Sequence, residues 1–149
     1  LFAGDYPVID QGDTVIAGYT NLEEAIYADP LPLIVFGDHT RRLKYINFPF
    51  ACGADGTQLI YPADERIGLR FLYHSLLEID LSNYAYARHF KFLKLESILL
   101  PDNFEIMDYF EKITKPIYDK IYNLHKLNSI LQQARDLLLP KLMTGEIEV

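Results

Sequence analysis

Apolar and polar positions follow two different rhythms along this chain, and the change falls at Pro101. Residues 102–139 contain no glycine, and Phe110, Ile117, Leu124, Leu131 and Leu138 recur every seven positions. Ile113, Leu127 and Ala134 make a second row three positions on, broken by Lys120. Flanked by Glu111, Lys112, Asp119, Lys126 and Arg135, this pattern predicts a long helix whose seam packs along another helix. About 38 residues at ~1.5 Å each give a rod of roughly 57 Å, more than a small domain needs for its own core. A core helix of the same domain would carry a similar stripe, but the length favours a partner helix. Pro116 predicts a kink or a restart inside it.

The first hundred residues are punctuated differently, since seven of the eight glycines lie at or before Gly68. Residues 5–12 read as an extended piece ending in a turn. Residues 22–27 suggest a short helix capped by Asn21, with Glu23 and Glu24 in its first turn. Leu33, Ile34, Val35 and Phe36 form a continuous apolar run between Pro32 and Gly37, the mark of a buried strand. Residues 43–50 give a second extended run, an edge strand or strand end because Pro49 lies inside it. Residues 57–61 give a third. Asp64 is placed to cap a helix through about Ile79, with Ile67, Phe71, Ser75 and Leu76 on one side. Residues 83–92 then alternate, with Tyr84, Tyr86 and Arg88 on one face and Ala85, Ala87 and His89 on the other. Leu95, Ile98 and Leu99 lead into Pro101, which closes the domain. The expected fold is α+β: a globular domain with a small sheet over residues 1–100, then a long coiled-coil-type helix and tail over 101–149.

At 149 residues, half of them hydrophobic, the chain suits one globular domain plus an appendage. The single cysteine, Cys52, excludes an intrachain disulfide, reads as a small core residue and is compatible with the cytoplasm. No apolar run approaches a membrane span and no signal peptide is visible. The chain starts at Leu1, which suggests a longer natural N-terminus. The formal charge of −7 disfavours a general polyanion binder. It is unevenly spread, with 8 Lys/Arg against 13 Asp/Glu in residues 1–100 and 6 against 8 thereafter. The basic residues of the first part cluster as Arg41, Arg42 and Lys44 and as Arg88, His89, Lys91 and Lys94. An acidic body with local basic patches fits specific site reading, and equally an ordinary solvated surface.

Three stretches could carry chemistry. Residues 37–42 (Gly-Asp-His-Thr-Arg-Arg) follow a buried strand, which holds loop residues on a rigid base. Asp38 and His39 could be a base and its orienter or metal ligands, but neighbours do not converge easily on one atom. A turn with solvated arginines is the plain structural reading. The nucleic-acid reading is better supported, since His39, Thr40, Arg41, Arg42 and nearby Lys44 offer donors to guanine edges and phosphates. Residues 53–58 (Gly-Ala-Asp-Gly-Thr-Gln) lack the lysine of a phosphate-binding loop. Asp55-Gly56 is foremost a hairpin turn, although Thr57 and Gln58 beside it could reach bases. Tyr84, Tyr86, Arg88, His89 and Lys91 combine aromatic surface with cationic ends, though strand tyrosines are more often half-buried sheet residues. His74 and His125 read as bystanders. No nucleophile–base pair and no metal cluster stands out, so the residues describe a non-enzymatic recognition domain with a coupling helix.

Taken together these motifs resemble the specificity subunit of type I restriction-modification systems. The resemblance rests on Gly37-Asp38-His39-Thr40, Pro49-Phe50, Gly53-Ala54-Asp55-Gly56-Thr57 and Tyr86-Ala87-Arg88-His89. It rests also on Pro101 opening a long helix and on the ending that runs from Leu137 through Pro140-Lys141-Leu142-Met143-Thr144-Gly145-Glu146-Ile147. It implies a target recognition domain, about residues 1–100, that reads one half of a bipartite double-stranded DNA site. It implies a conserved helix that pairs antiparallel with a second one and spaces two such domains, here through Phe110, Ile113, Ile117, Leu124, Leu127, Leu131 and Leu138. A methylation subunit using S-adenosylmethionine docks on this framework, and a nuclease subunit joins through it. The specificity subunit itself holds no cofactor or metal and catalyses nothing. This chain departs from that pattern in having one recognition domain and one helix, in Pro116, and in Glu105 where a glutamine is usual. It is therefore expected as a fragment, or as a half-subunit whose homodimer reads a palindromic bipartite site. Two rivals remain: a helix-mediated interaction or regulatory module without DNA reading, and a small enzyme using Asp38, His39 and His89.

Overall fold

A computed structural model describes residues 4–84 and 88–147 of the chain, which divides into two units, Leu1–Glu111 and Lys112–Val149. The architecture is α+β, with two small sheets in the first unit and a long C-terminal helix. The strands are β1 (Tyr6–Ile9), β2 (Gly18–Thr20), β3 (Ile26–Tyr27), β4 (Leu33–Gly37), β5 (Leu43–Ile46), β6 (Phe50–Cys52) and β7 (Thr57–Ile60). The helices are α1 (Leu69–Leu77), α2 (Phe90–Leu93) and α3 (Phe104–Met143). One sheet has the order β2-β1-β6-β3, with β1 and β6 parallel and the other pairs antiparallel; the second, β5-β4-β7, is antiparallel throughout.

The apolar run of β4 is explained by burial on both faces. Successive side chains point to opposite sides of a strand. Ile34 and Phe36 pack with Leu72 and Leu76 of α1 and with Leu81 and Leu93. Leu33 and Val35 pack instead with Ile9, Ile46 and Phe50. Each such side chain contributes about 1.5–3 kcal/mol on full burial, which makes β4 the strand on which both cores depend.

Several elements differ from the sequence expectation, mostly because their partners lie far away in the chain. Residues 43–50 form two strands: β5 is indeed an edge strand, whereas β6 crosses beyond Pro49 to the centre of the other sheet. The expected helix at 22–27 is a three-residue 3-10 turn, Glu23–Ala25, and Ile26 and Tyr27 join β6 as β3. The N-cap position of that turn is Leu22, which has no capping side chain, and the Asn21 Oδ1 accepts the Asp5 N–H at 2.8 Å instead. The described part of 83–92 is not a strand either, since His89 has αR backbone angles as the residue before α2; Ala85, Tyr86 and Ala87 lie outside the described residues. Cys52 is exposed at the end of β6 rather than in the core.

Helix α1 starts at Leu69, later than Asp64 suggested. Asp64 instead accepts the Arg66 amide and guanidinium at 3.0 Å and 2.5 Å, which holds its carboxyl down to about 2. The acceptor at the N-terminus of α1 is Glu111 of α3, whose Oε1 takes the Phe71 N–H at 2.8 Å while its Oε2 meets the Arg70 guanidinium at 2.6 Å. Gly68 completes this arrangement, because a Cβ there would overlap the Glu111 side chain. Met107 is fully buried in the same place, and Phe110 sets its ring edge-on to Phe71 and His74, with centroids 6.2 and 5.6 Å away. His74, expected as a bystander, thus packs against aromatic neighbours.

The helix continues through Pro116 and Pro140 and ends at Met143, not at Leu139. Its end is a Schellman motif: the Glu146 N–H reaches the Lys141 carbonyl at 2.9 Å, the Gly145 N–H reaches Leu142 at 3.2 Å, and Gly145 takes φ +71°. Thr144 Oγ1 adds a bond to the Pro140 carbonyl at 3.0 Å. Along residues 112–143 the seam side chains are open to solvent: Ile113 is 47%, Ile117 57%, Leu124 46%, Leu127 49%, Leu131 56% and Leu138 49% exposed.

Candidate nucleic-acid interface

The turn 37–42 closes the β4–β5 hairpin. The Gly37 N–H donates to the Arg42 carbonyl and the Arg41 N–H to the Gly37 carbonyl, both at 2.8 Å. Arg41 takes φ +62°, the left-handed region where glycine is the usual occupant. Its Nη1 donates to the Leu81 carbonyl at 3.2 Å. Asp80 beside it is held below the ordinary carboxylate value by the amide and hydroxyl of Ser82, with Arg41 assisting. Arg42 is exposed and pairs with Asp13 at 2.5 Å. His39 and Thr40 are exposed at the tip. Asp38, by contrast, is 3% exposed. Its N–H donates to the Gly56 carbonyl at 2.9 Å, and its Oδ1 accepts the Phe90 N–H at 2.8 Å. That carboxylate serves the start of α2, a structural task.

The two other expected stretches meet this turn. The 53–58 hairpin touches it through the Asp38–Gly56 bond. The segment leading into α2 touches it through His89, whose N–H donates to the Asp38 carbonyl at 2.8 Å. His89 is 5% exposed, its Nδ1 lying 2.9 Å from the Asp38 carbonyl oxygen and its Nε2 2.6 Å from that of Tyr84. Tyr84 stacks on Phe92 at 3.8 Å. Arg88 and Lys91 are exposed, and the Lys91 ammonium lies 4.6 Å from the Phe92 ring centroid. Gln58 is half-buried on β7, and Thr57 Oγ1 is buried without a hydrogen-bond partner among the described residues. Tyr86 lies outside the described residues.

Lys44 lies beneath this surface, 6% exposed. Its ammonium donates to the Asp10 carbonyl at 2.7 Å, with the Asp10 carboxylate at 3.4 Å. Burial pushes its pKa down against the opposing pull of Asp10. The partner segment of this surface is one that the sequence motifs did not single out. Residues 10–13 supply Asp10 to Lys44, Gln11 to His39 and Thr40, and Asp13 to Arg42. The signal was present, since Asp-Gln-Gly-Asp follows a strand just as Gly-Asp-His-Thr does. Among the described residues no group of three or more His, Cys, Asp and Glu could hold a metal ion, and no helix is long and apolar enough to cross a membrane.

What these loops can do is offer hydrogen-bond donors, cations and aromatic faces from converging elements, with acidic side chains interleaved. No family model matches the chain, and no solved structure matches it. A stretch of 85 residues is 32% identical to the Type I restriction enzyme EcoR124I/EcoR124II specificity subunit of Escherichia coli, covering 56% of this chain and 21% of that protein. The chain thus spans about a fifth of the length of this curated relative. The resemblance read from the residues has a curated counterpart, and over more than half of its length the chain is similar to a type I restriction specificity subunit.

Proposed function

We propose that this chain is a sequence-specific DNA-binding half of a type I specificity subunit, itself non-catalytic, that directs methylation and restriction to a bipartite site. The observation that carries the reading is the similarity to a named specificity subunit. The meeting of residues 37–42, 53–58 and the approach to α2 supports it, since three loops on rigid elements can address one groove. In this reading residues 1–100 are the recognition domain, and 101–149 dimerise and space it. His39, Thr40, Arg41, Arg42, Gln58, Tyr84, Arg88 and Lys91 face DNA, with Tyr86 between them in sequence. Lys44 and His89, both buried and bonded to main-chain carbonyls, act as supports. The exposed seam of α3 suits a second such helix, from another copy or another specificity half, with the methylation subunit docking on the pair. S-adenosylmethionine belongs to that subunit.

The test is selection from randomised duplex DNA by the chain assembled with a type I methylation subunit. A two-part palindrome is expected for a symmetric pair, and its spacing reports the separation of the two domains; a single half-site would point to a fragment. The net charge of −7 and the open seam favour one second reading, a helix-mediated interaction module. That reading gains if the assembled complex enriches no sequence.

A further inference from the structure

We propose, building on the DNA-reading function, that Gln11 is a positioning residue for specificity: it locks the 37–42 turn to the 53–58 hairpin so that both present one reading surface. Its side-chain Oε1 accepts the His39 N–H at 2.8 Å, and its main-chain carbonyl accepts the Thr40 hydroxyl at 2.5 Å. The same carboxamide lies against Gly56, where an added Cβ would overlap it. A Cβ on Gly37 would come within 3.1 Å of Gln11 Cβ. One side chain therefore fills the angle between the two loops.

Gln11 is itself held rigidly. Asp10 before it is fixed by the buried Lys44 ammonium at 2.7 Å, and its carboxylate accepts the Gly12 N–H at 2.8 Å. Base edges are read only by groups held to about half an ångström, and such precision comes from the supporting layer of residues. Without the carboxamide, the His39 N–H loses its acceptor and a space opens in front of Gly56. The hairpin bonds of Gly37, Arg41 and Arg42 do not involve Gln11, so the fold survives while the loop tips move.

Two variants of the full chain, Gln11→Ala and Gly56→Ala, attack the same contact from opposite sides. Amide hydrogen exchange should accelerate at least about tenfold at His39 and also at Asp38 and Thr57 in Gln11→Ala, leaving the β4–β5 ladder unchanged. Gln11→Glu, which keeps the acceptor, should restore His39 protection. Acceleration at His39 alone would overturn the coupling whatever happens on DNA. In selection with the methylation subunit, both alanine variants should lose about tenfold in base discrimination at the same positions, with the parent's salt dependence. An enriching parent whose Gln11→Ala variant keeps the parent's base profile would overturn the specificity role. Different altered profiles for the two variants would overturn the shared lock. A parent that enriches nothing fails the DNA reading itself and removes the specificity role with it.

Discussion

Arg41 occupies a backbone conformation at φ +62° that a side chain makes costly. A glycine would sit there without strain but could neither hold the Leu81 carbonyl nor reach a base. Arg41→Gly and Arg41→Ala lose the same side-chain contacts and differ mainly in that backbone cost. Arg41→Gly should be more stable to urea than Arg41→Ala by about 1 kcal/mol, while both should weaken the proposed DNA binding by about 1–3 kcal/mol. Equal stabilities would mean that the left-handed conformation carries no cost here. Lys44 gives a pH signature. Burial lowers its folded-state pKa below the ordinary 10.5, so between the two values the unfolded chain holds more protons. Stability from this group therefore rises with pH through that window, after a constant penalty below it. Urea titrations from neutral pH upward should show the parent gaining on Lys44→Met as 10.5 is approached. The opposite trend would put the ammonium in a site more favourable than water.

Among the elements, the ones legible in the sequence were those whose pattern is set by their own environment. β4 is buried on both faces and reads as an unbroken apolar run; residues 104–143 carry a seven-residue repeat. The elements that misread take their bonds from distant residues. α1 could not be delimited because its N-terminal acceptor, Glu111, lies 40 positions from Phe71, and the nearby Asp64 imitated a cap. β2 and β3 have three and two residues, too few for an alternation to register. Asp10, Gln11 and Asp13 went unread as a site for the same reason: their partners Lys44, His39, Thr40 and Arg42 lie 28 to 34 positions away, and the one local cue was a polar turn after a strand. The Glu111 contact yields its own prediction. Its carboxylate caps α1 and pairs with an Arg70 that is 14% exposed, so Glu111→Ala removes a cap and leaves a nearly buried cation. A loss of about 2–4 kcal/mol is expected in chemical denaturation, and clearly less for Glu111→Gln. A cost below about 0.5 kcal/mol would show that α1 starts equally well without it.

For the molecule as a whole the seam bears on assembly, and its first residue separates itself from the rest. Phe110 is engaged with Phe71 and His74 inside the first unit, whereas Leu124 and Leu131 are 46% and 56% exposed in the second. Half-exposed leucines at seven-residue spacing release about 25 cal/mol for each Å² that a partner covers, which makes a paired helix favourable and a solitary one adhesive. A carboxylate in the middle of that seam would have to be desolvated on pairing. On the proposed helix pairing, the double variant Leu124→Glu, Leu131→Glu should therefore raise the dissociation constant of the pair at least about a hundredfold, or some 2.7 kcal/mol. Sedimentation across a concentration series reads this directly. Lys126→Glu adds the same side chain on the outer face of the repeat and should leave association nearly unchanged. If both variants weakened assembly alike, net charge rather than the seam would be responsible. If neither did, the proposed pairing would have to run through another surface, and the spacing between the two halves of a bipartite site would no longer be set by this helix.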